Sequence, residues 1–311
     1  MSTELKFVVI GASSFSGKAF CEYARSKEAE VVEISRPTYD LNLNCLDIAN
    51  AISDARPDYV VNFAALNMVA ESWEHYQDYY RTNVVSLSRL VGMWDTQLLP
   101  FRKWIQVSTP EVYGTQHAVI SESSPYAPST PYAVSRAAFD MHLRALFVAK
   151  GFPALFMRSV NVYGEGQQPY RIIPKTVLKI LRGERLQLHG GGASVRSFMH
   201  IGDAASGVYL AAQRGYLGEV YHTASVQLVQ IRELVGMICS QLGVSFDAAV
   251  EVCEERPGKD HAYILDSRKA RAELMWADKI PLGGGLVHTV EWFKAHAHEY
   301  DGHSLEYEHK A

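Results

Sequence analysis

Short apolar runs alternate with longer amphipathic stretches along the first half of the chain. The runs are nearly continuous and rich in valine, isoleucine and aromatic residues, as is typical of parallel strands buried on both faces. They are Phe7–Ile10, Val31–Ile34, Tyr59–Phe63, Trp104–Val107 and Ala154–Met157. Apolar residues recur at helical spacing between and after them, over Gly17–Ser26, Ile48–Ala55, Val84–Leu98 and Tyr132–Lys150. This alternation predicts an α/β fold: a doubly wound parallel sheet with helices on both faces and right-handed crossovers.

The pattern changes after about Tyr163, where the glycine-rich segments 164–166 and 190–192 indicate loops. Two helical patterns and a short strand follow over Ile173–Arg182, Ile231–Leu242 and Tyr263–Leu265. We therefore predict a first domain over residues 1–163, to which residues 198–218 return, and a smaller C-terminal α/β lobe over residues 164–311.

The 311-residue chain has 48% hydrophobic and 21% charged residues, as in an ordinary globular protein. Its net charge of -4 lacks the basic excess of nucleic-acid binding proteins, so we predict no nucleic-acid partner. No charged leader precedes a long apolar run, and no run reaches the roughly 18 residues of a membrane span. We therefore expect neither a signal peptide nor a membrane partner. The four cysteines lack metal-ligand spacing and the 12 histidines are scattered, which predicts reduced thiols, no metal and a cytoplasmic location.

A glycine-rich turn joins the first strand to the first helix at residues 11–17. Such a turn presents backbone N–H groups and the positive end of the helix dipole to a pyrophosphate. The middle glycine of the usual pattern is Ser14 here, but the position between strand and helix is the one expected. We predict a Rossmann-type dinucleotide-binding domain over residues 1–163. The loop residues assigned to the cofactor are Gly11, Ser13, Ser14, Phe15 and Gly17.

The end of the second strand carries Ser35 and Arg36 instead of the carboxylate that binds the adenosine ribose of NAD. A guanidinium suits a 2′-phosphate, so we predict NADP, with NAD as the alternative. The competing interpretations are that Arg36 is a solvated charge in a loop, or that it stacks on the adenine ring. Asp47 and Ile48 are placed to meet the adenine. Residues 63–65 (Phe63, Ala64 and Ala65), which follow the third strand, are assigned to the nicotinamide side.

Tyr132 and Arg136 lie four residues apart and share one face of a predicted helix. A nearby cation favours the phenolate of a tyrosine and lowers its pKa, which makes the phenol a usable base. Ser108 or Thr109, at the end of a strand, could hydrogen-bond the same sugar hydroxyl. Together these groups could remove a hydroxyl proton as hydride leaves for a nicotinamide. The plainer interpretation is an ordinary surface pair on a helix.

These motifs, in this order, resemble the extended short-chain dehydrogenase/reductases, and among them the nucleotide-sugar 4,6-dehydratases. The resemblance runs nearly end to end, through residues 11–17, 62–65, 82–84, 108–114, 131–136, 158–164, 195–203 and 256–266. It implies that Tyr132 is the catalytic base, that residue 136 holds the nicotinamide ribose, and that Thr109 binds the sugar's 4-hydroxyl. It also implies Asn83 and Val107 on the cofactor side.

Two positions depart from the family pattern. The usual lysine is Arg136, which supplies charge and donors but cannot release a proton. The dTDP-glucose dehydratases have an Asp-Glu pair after the threonine, whereas this chain has Pro110 and Glu111. GDP-mannose dehydratases resemble the latter arrangement. Glu111 therefore supports elimination without proving it, and a plain loop carboxylate remains the alternative.

The resemblance also implies a pocket for a nucleotide-sugar substrate. Its family equivalents bind the phosphates, the base and the ribose. The residues assigned to it, with Ser108, Thr109 and Glu111, are Asn161, Arg171, Lys175, Leu188, Arg196 and Arg256.

We predict a nucleotide-hexose 4,6-dehydratase, with a 4-epimerase or 4-dehydrogenase as the alternative enzyme. A cofactor-binding redox regulator without turnover is the alternative of another class. A homodimer is expected through helices 84–98 and 132–150, whose apolar residues look exposed. Those residues are Leu87, Met93, Phe139, Leu143 and Phe147. An ordinary buried face is the competing interpretation.

Overall fold

The computed structural model describes residues 4–115, 118–254 and 264–309. Its strands are Lys6–Ile10 (β1), Glu30–Ile34 (β2), Tyr59–Asn62 (β3), Lys103–Val107 (β4), Val119–Ile120 (β5), Ala154–Ser159 (β6), Asn161–Tyr163 (β7), Leu186–His189 (β8), Val195–His200 (β9), Val220–Thr223 (β10), Leu228–Gln230 (β11), Val250–Cys253 (β12) and Ile264–Leu265 (β13). Its α-helices are Phe15–Arg25 (α1), Cys45–Ala55 (α2), Tyr76–Tyr80 (α3), Leu87–Val91 (α4), Pro131–Lys150 (α5), Ile172–Leu181 (α6), Ile201–Arg214 (α7), Ile231–Gln241 (α8), Phe246–Ala249 (α9), Arg268–Glu273 (α10) and Leu282–Ala295 (α11).

Six of these strands form one sheet in the order β10-β6-β4-β3-β1-β2, and every neighbouring pair is parallel. The chain goes from β1 to β2 and then crosses back to β3 on the other side of β1. The winding therefore reverses between β1 and β3. In doubly wound sheets the loops diverge at such a point and leave a cleft at the carboxyl ends of the strands, where ligands bind.

Alternate residues of β1 enter different hydrophobic cores, because successive side chains of a strand point to opposite faces. Phe7 and Val9 pack in a core that includes residues of α1 and α7. Val8 and Ile10 pack in a second core with residues of α2, α4 and α5. Both faces of the sheet are therefore covered, as the continuous apolar runs predict, and the doubly wound α/β fold is confirmed.

The predicted helix Val84–Leu98 is wrong at both ends. Helical structure begins earlier, with α3, passes through a π-helical stretch at Arg81–Ser86, and ends with α4 before Gly92. Each π-type bond adds a residue to a turn, so the apolar spacing shifts along the helix and misleads a periodicity argument. The residues that follow form turns, and Leu98 is 79% exposed.

The apolar residues that we expected to be exposed on these helices are largely buried within the chain. Leu87, Phe139 and Leu143 are no more than 1% exposed and lie in the core beneath the sheet. Met93 packs against the same core, and Phe147 is half-buried. Their hydrophobicity is explained by the core, so the plainer interpretation of a buried face is correct for them.

The chain beyond β7 forms smaller sheets, in the orders β11-β9-β7 and β12-β8, with a separate core built by α6, α8 and α11. Helix α7 leaves this region and packs against α1, and β10 joins the edge of the large sheet beside β6. Of the predicted strand Tyr263–Leu265, residues Ile264 and Leu265 pair with β5, and Tyr263 lies outside the described residues. Within the described ranges, no helix has both the length and the apolar character needed to cross a membrane.

Candidate active site

A cavity of about 770 Å³ opens where the carboxyl ends of β1, β3 and β4 meet the smaller lobe. It is lined by most of the residues that the sequence assigns to cofactor and substrate. On the cofactor side these are Gly11, Ser13, Ser14, Phe15, Ser35, Arg36, Ile48, Phe63, Ala64, Ala65 and Val107. On the side of the predicted chemistry and substrate they are Ser108, Thr109, Glu111, Tyr132, Arg136, Asn161, Arg171 and Arg196.

The turn after β1 is shaped by two glycines and one serine. Gly11 has a φ of +79°, and a Cβ there would lie 2.7 Å from the backbone nitrogen of Ala64. Ser14 begins helix α1 as its N-cap and accepts a hydrogen bond from the Gly17 N–H at 3.1 Å. Gly17 is packed behind the turn and does not itself line the cavity. Phe15 and Ser16, in the first turn of α1, line the cavity, and the first turn of a helix has N–H groups without an intrahelical acceptor that can bind a phosphate.

The far end of this cleft is formed by the segment after β2. Ser35 and Arg36 line it, together with Asp40 and Asn42, which the sequence analysis missed. Asp40 Oδ1 accepts from the Asn42 N–H at 2.7 Å, so this loop is fixed by local side-chain bonds. Asp47, which we had placed at the adenine, is exposed on α2 and does not line the cavity. The sequence signal that could have identified these lining residues is the pair Asp40 and Asn42 on either side of the apolar Leu41, in the segment after the second strand.

Helix α5 carries Tyr132 and Arg136 into the cavity. Pro131 stands at its first position, and Thr130 caps it by accepting from the Ala133 N–H at 3.1 Å. Tyr132 is 7% exposed, Arg136 is 5% exposed, and a side-chain Nη2 of Arg136 donates to the carbonyl of the last residue of β4. The pair is therefore held inside the cleft and is not a solvated surface pair.

Thr109 and Glu111 face the same cavity from the other side. Thr109 is 7% exposed and begins the 3-10 turn Pro110–Tyr113, where its Oγ1 accepts from the Glu111 N–H at 3.2 Å. The residues with predicted chemical roles thus line one cavity, next to the glycine-rich turn. This arrangement can bind a sugar hydroxyl, remove its proton and place a carboxylate near the neighbouring carbons.

Asn83 lies behind the cavity wall and does not line it. Its side chain donates to the Leu66 carbonyl and accepts from the Leu66 N–H, both at 2.9 Å, and donates to Ser135 at 3.0 Å. It therefore ties the loop after β3 to α5. That loop contributes further lining residues that the sequence analysis missed, from Leu66 to Val69.

The substrate side of the cleft is only partly as predicted. Asn161 donates to the Ser197 carbonyl at 3.3 Å and Arg196 to the Val195 carbonyl at 2.9 Å. The guanidinium of Arg171 lies 5.5 Å from the ring of Tyr170, which the sequence analysis missed together with Gln167 and Gln168.

Three residues assigned to the substrate are not placed in the cavity. Lys175 pairs with Glu306 at 2.6 Å outside it, since its helix turns this side chain toward the C-terminal segment. Leu188 is 4% exposed and belongs to a hydrophobic core, as an inward-facing residue of β8. Arg256 lies outside the described residues.

A model of the NAD dependent epimerase/dehydratase family matches residues 7–224. The chain belongs to this family. The dTDP-glucose 4,6-dehydratase of Xanthomonas campestris pv. campestris is 31% identical over 92% of this chain and 92% of its own length. That of Streptomyces griseus is 33% identical over 78% of this chain and 73% of its own. A solved dTDP-glucose 4,6-dehydratase of Streptomyces venezuelae, with NAD and TYD bound, has a TM-score of 0.82 at 28% identity, covering 94% of this chain and 97% of that one.

The packing at Gly17 gives a test of the phosphate turn. A Cβ at this position would lie 2.3 Å from the Gly11 carbonyl oxygen, so Gly17→Ala must displace the turn. We expect it to weaken dinucleotide binding at least about tenfold, measured by calorimetry with NAD and NADP, because the turn's amides lose their alignment. Gly236→Ala is the matched control, since a Cβ there meets no atom within 4 Å. Equal affinities in both variants would show that the turn does not hold the dinucleotide.

Proposed function

We propose that this member of the family is a cytoplasmic nucleotide-hexose 4,6-dehydratase that uses a nicotinamide dinucleotide. The observation that carries the proposal is the convergence of Tyr132, Arg136, Thr109 and Glu111 on one cavity beside a phosphate-binding turn. The named relatives support the same activity, since they are dTDP-glucose 4,6-dehydratases and align over most of the chain.

In the proposed reaction Tyr132 accepts the proton of the sugar's 4-hydroxyl while Thr109 hydrogen-bonds the same oxygen. Arg136, one turn later on the same helix face, is proposed to hold the ribose of the nicotinamide. A nicotinamide dinucleotide held by residues 11–17 and 63–65 would supply the acceptor for the hydride of carbon 4 and the donor of hydride to carbon 6. The 4-ketone formed by oxidation acidifies the hydrogen on carbon 5.

Glu111 is proposed to take that hydrogen as a proton. The hydroxyl on carbon 6 must leave as water, and Pro110 has no acidic group to protonate it. The proton that Glu111 has just received is the one available to the departing hydroxyl, so a single carboxyl would act first as base and then as acid. The electron pair of the carbon–hydrogen bond becomes the new double bond as the carbon–oxygen bond breaks. Return of hydride to carbon 6 then leaves an enolate that takes one proton at carbon 5, and release of the proton that Tyr132 took from the 4-hydroxyl balances this uptake.

Pro110 is also the observation that favours the second candidate, a nucleotide-sugar 4-epimerase or 4-dehydrogenase. In that case the chemistry ends with oxidation at carbon 4, or with re-reduction on the other face. Glu111 would then only position the substrate. The two candidates differ in whether oxygen is lost from carbon 6.

The cofactor is proposed to bind along residues 1–163, with the nucleotide sugar held between them and residues 164–311. Two observations bear differently on its identity. NAD is the dinucleotide in the solved dTDP-glucose 4,6-dehydratase at 28% identity. In this chain, however, β2 is followed by Ser35 and Arg36 in the cavity wall, and a guanidinium favours the 2′-phosphate of NADP. We retain NADP as the finer proposal and NAD as its alternative.

We also propose a homodimer, on a surface different from the buried residues first considered. Helix α5 exposes three apolar side chains at seven-residue spacing: Val134, Met141 and Val148, which are 38%, 60% and 84% exposed. This spacing places them in one stripe along the helix. Val85, on the adjoining helical segment, is 61% exposed. A second copy of the chain is the proposed occupant, as in the resembling dehydratases.

The reaction is tested by proton NMR of turnover with dTDP-glucose and GDP-mannose. We expect the wild type to produce a 6-methyl doublet. Glu111→Gln should lose about 10²-fold or more in this signal while retaining oxidation at carbon 4, because only the base for carbon 5 is removed. Tyr132→Phe should lose about 10²- to 10⁴-fold in both steps. The exposed Tyr216, mutated to Phe, is the control. An inverted sugar, or net reduced cofactor without the doublet, would establish the second candidate.

The cofactor proposal is tested with Arg36→Ala. If Arg36 binds a 2′-phosphate, the affinity for NADP should fall about tenfold or more, because a charge-assisted bond is lost, while that for NAD changes little. The control is Arg25→Ala, which removes a guanidinium paired with Glu33 at the far end of α1. An equal loss for both dinucleotides would contradict recognition of the phosphate.

The dimer is tested by light scattering. We expect the wild type at twice the 34.7 kDa of one chain and Met141→Glu at the mass of a single chain, because a charge buried in an apolar contact is unfavourable. Val226→Glu, at a residue that is 83% exposed elsewhere, should leave the dimer intact. A wild type that runs as a single chain would refute the proposal.

A further inference from the structure

One buried ion pair holds both ends of the segment 108–113. Arg158 Nη2 lies 2.8 Å from Asp140 Oδ2, and neither side chain has any exposed surface. At the start of the segment, Ser108 Oγ donates to the same Asp140 oxygen at 2.6 Å. At its end, Arg158 Nη1 donates to the hydroxyl of Tyr113. Thr109 and Glu111, which are assigned to the chemistry, lie between these anchors.

The same ion pair is coupled to the helix that carries Tyr132. Asp140 follows Tyr132 and Arg136 at four-residue intervals, so all three lie on one face of α5. Arg136 donates to the carbonyl of Val107, and Asp140 accepts from the next residue along the chain. Val107 and Ser108 are thus bonded to two residues of α5 that lie one turn apart. This sets the position of the segment relative to the phenol.

The bond to Asp140 also limits what Ser108 can do for a substrate. Ser108 Oγ has one proton, and it is donated to the carboxylate. Toward a sugar hydroxyl, Ser108 can therefore only accept. Ser108 is therefore better explained as a residue that holds the segment 108–113 than as one that binds the substrate.

The pair is poorly arranged as a source of stability. Asp140 Oδ2 receives the bonds from both Ser108 and Arg158, whereas Asp140 Oδ1 and Arg158 Nε are buried without a hydrogen-bond partner among the described residues. A pair optimised for strength would use two parallel bonds. Buried ion pairs often stabilise a fold no more than apolar residues of the same volume would. The geometry of the ion pair is more consistent with holding the segment 108–113 in place.

The far anchor is itself fixed to the sheet. Tyr113 is fully buried and its hydroxyl lies 2.8 Å from His222 Nε2 on β10. Burial, and then the charge of Arg158, lower the pKa of His222 to about 3, so this ring is neutral at ordinary pH. The Arg158 guanidinium donates to the tyrosine oxygen, and the same hydroxyl lies within hydrogen-bond distance of the neutral imidazole of His222.

We propose that Asp140 and Arg158 are positioning residues, a clamp that fixes Thr109 and Glu111 relative to Tyr132. Neither acts on the substrate. The clamp keeps Thr109, which hydrogen-bonds the 4-hydroxyl, and the carboxylate of Glu111 at the positions that proton transfer requires. The expected effect of the clamp on turnover rests on the proposed dehydratase function, whereas its effect on the position of the segment 108–113 does not.

The first test is Ser108→Ala, which removes one anchor and leaves the ion pair intact. We expect kcat to fall about ten- to a hundredfold, because small displacements of positioned groups have effects of this size, with KM for the nucleotide sugar changing less than about twofold. Ser108→Thr keeps the hydroxyl and should restore most of kcat. Ser206→Ala is the control, a half-buried serine on α7 that bonds to the Asp203 carbonyl. A raised KM with unchanged kcat would instead show a substrate contact.

A second variant separates positioning from stability. Asp140→Leu combined with Arg158→Met replaces the pair by apolar groups of similar volume, which need not destabilise the fold. We expect a folded protein, by thermal melting, with kcat lowered as strongly as in Ser108→Ala. Wild-type kcat in this folded double variant would overturn the proposal.

Amide hydrogen exchange gives a readout that does not require turnover. The amides of residues 109–114 should exchange about tenfold faster in Ser108→Ala and in the double variant than in the wild type or Ser206→Ala, since local opening is easier. Unchanged exchange in both variants would overturn the clamp. If the wild type converted no nucleotide sugar, the dehydratase proposal would fail, and exchange alone would decide the clamp.

Discussion

Helix α5 packs one face against the end of β4, and the candidate active site depends on this contact. The face presents Tyr132, Arg136 and Asp140 at successive turns. Arg136 bonds to the carbonyl of the last residue of β4, and Asp140 bonds to the side chain of the residue that follows it. The phenol is thereby fixed relative to the segment that carries Thr109. Because the helix is capped by Thr130 and covers a core through Phe139 and Leu143, the alignment is supported along its length.

Burial gives this arrangement its chemical value. Thr109, Tyr132 and Arg136 are each less than a tenth exposed, although all three are polar. Electrostatic interactions and hydrogen bonds are stronger where water is largely excluded, which favours a site whose polar groups are held in fixed positions. Behind the cavity, hydrogen bonds connect Ser108 through Asp140 and Arg158 to Tyr113 and His222.

The chain combines the overall plan of its family with local changes at reactive positions. It aligns with dTDP-glucose 4,6-dehydratases over most of its length, and its fold superposes on a solved one with a TM-score of 0.82. Pro110 and Arg136 are nevertheless the two positions at which the chain departs from the dehydratase pattern that its motifs resemble. Pro110 leaves Glu111 as the carboxyl of the segment. Arg136 supplies a permanent charge that bonds to a backbone carbonyl, so it also serves to hold the helix to the sheet.

The sequence by itself determined five strands of the large sheet, the glycine-rich turn after the first of them and the pair on α5, because each depends on neighbours in the chain. Continuous apolar runs identify strands buried on both faces, and a glycine turn between strand and helix needs no distant partner. Tertiary structure decided what depends on residues far apart in sequence. Periodicity could not reveal the π-helical shift before Leu87, nor whether its apolar face meets a core or a second chain. It also could not reveal that Asp140 and Arg158 meet beneath the active site, because only the packing of α5 against β6 brings them together.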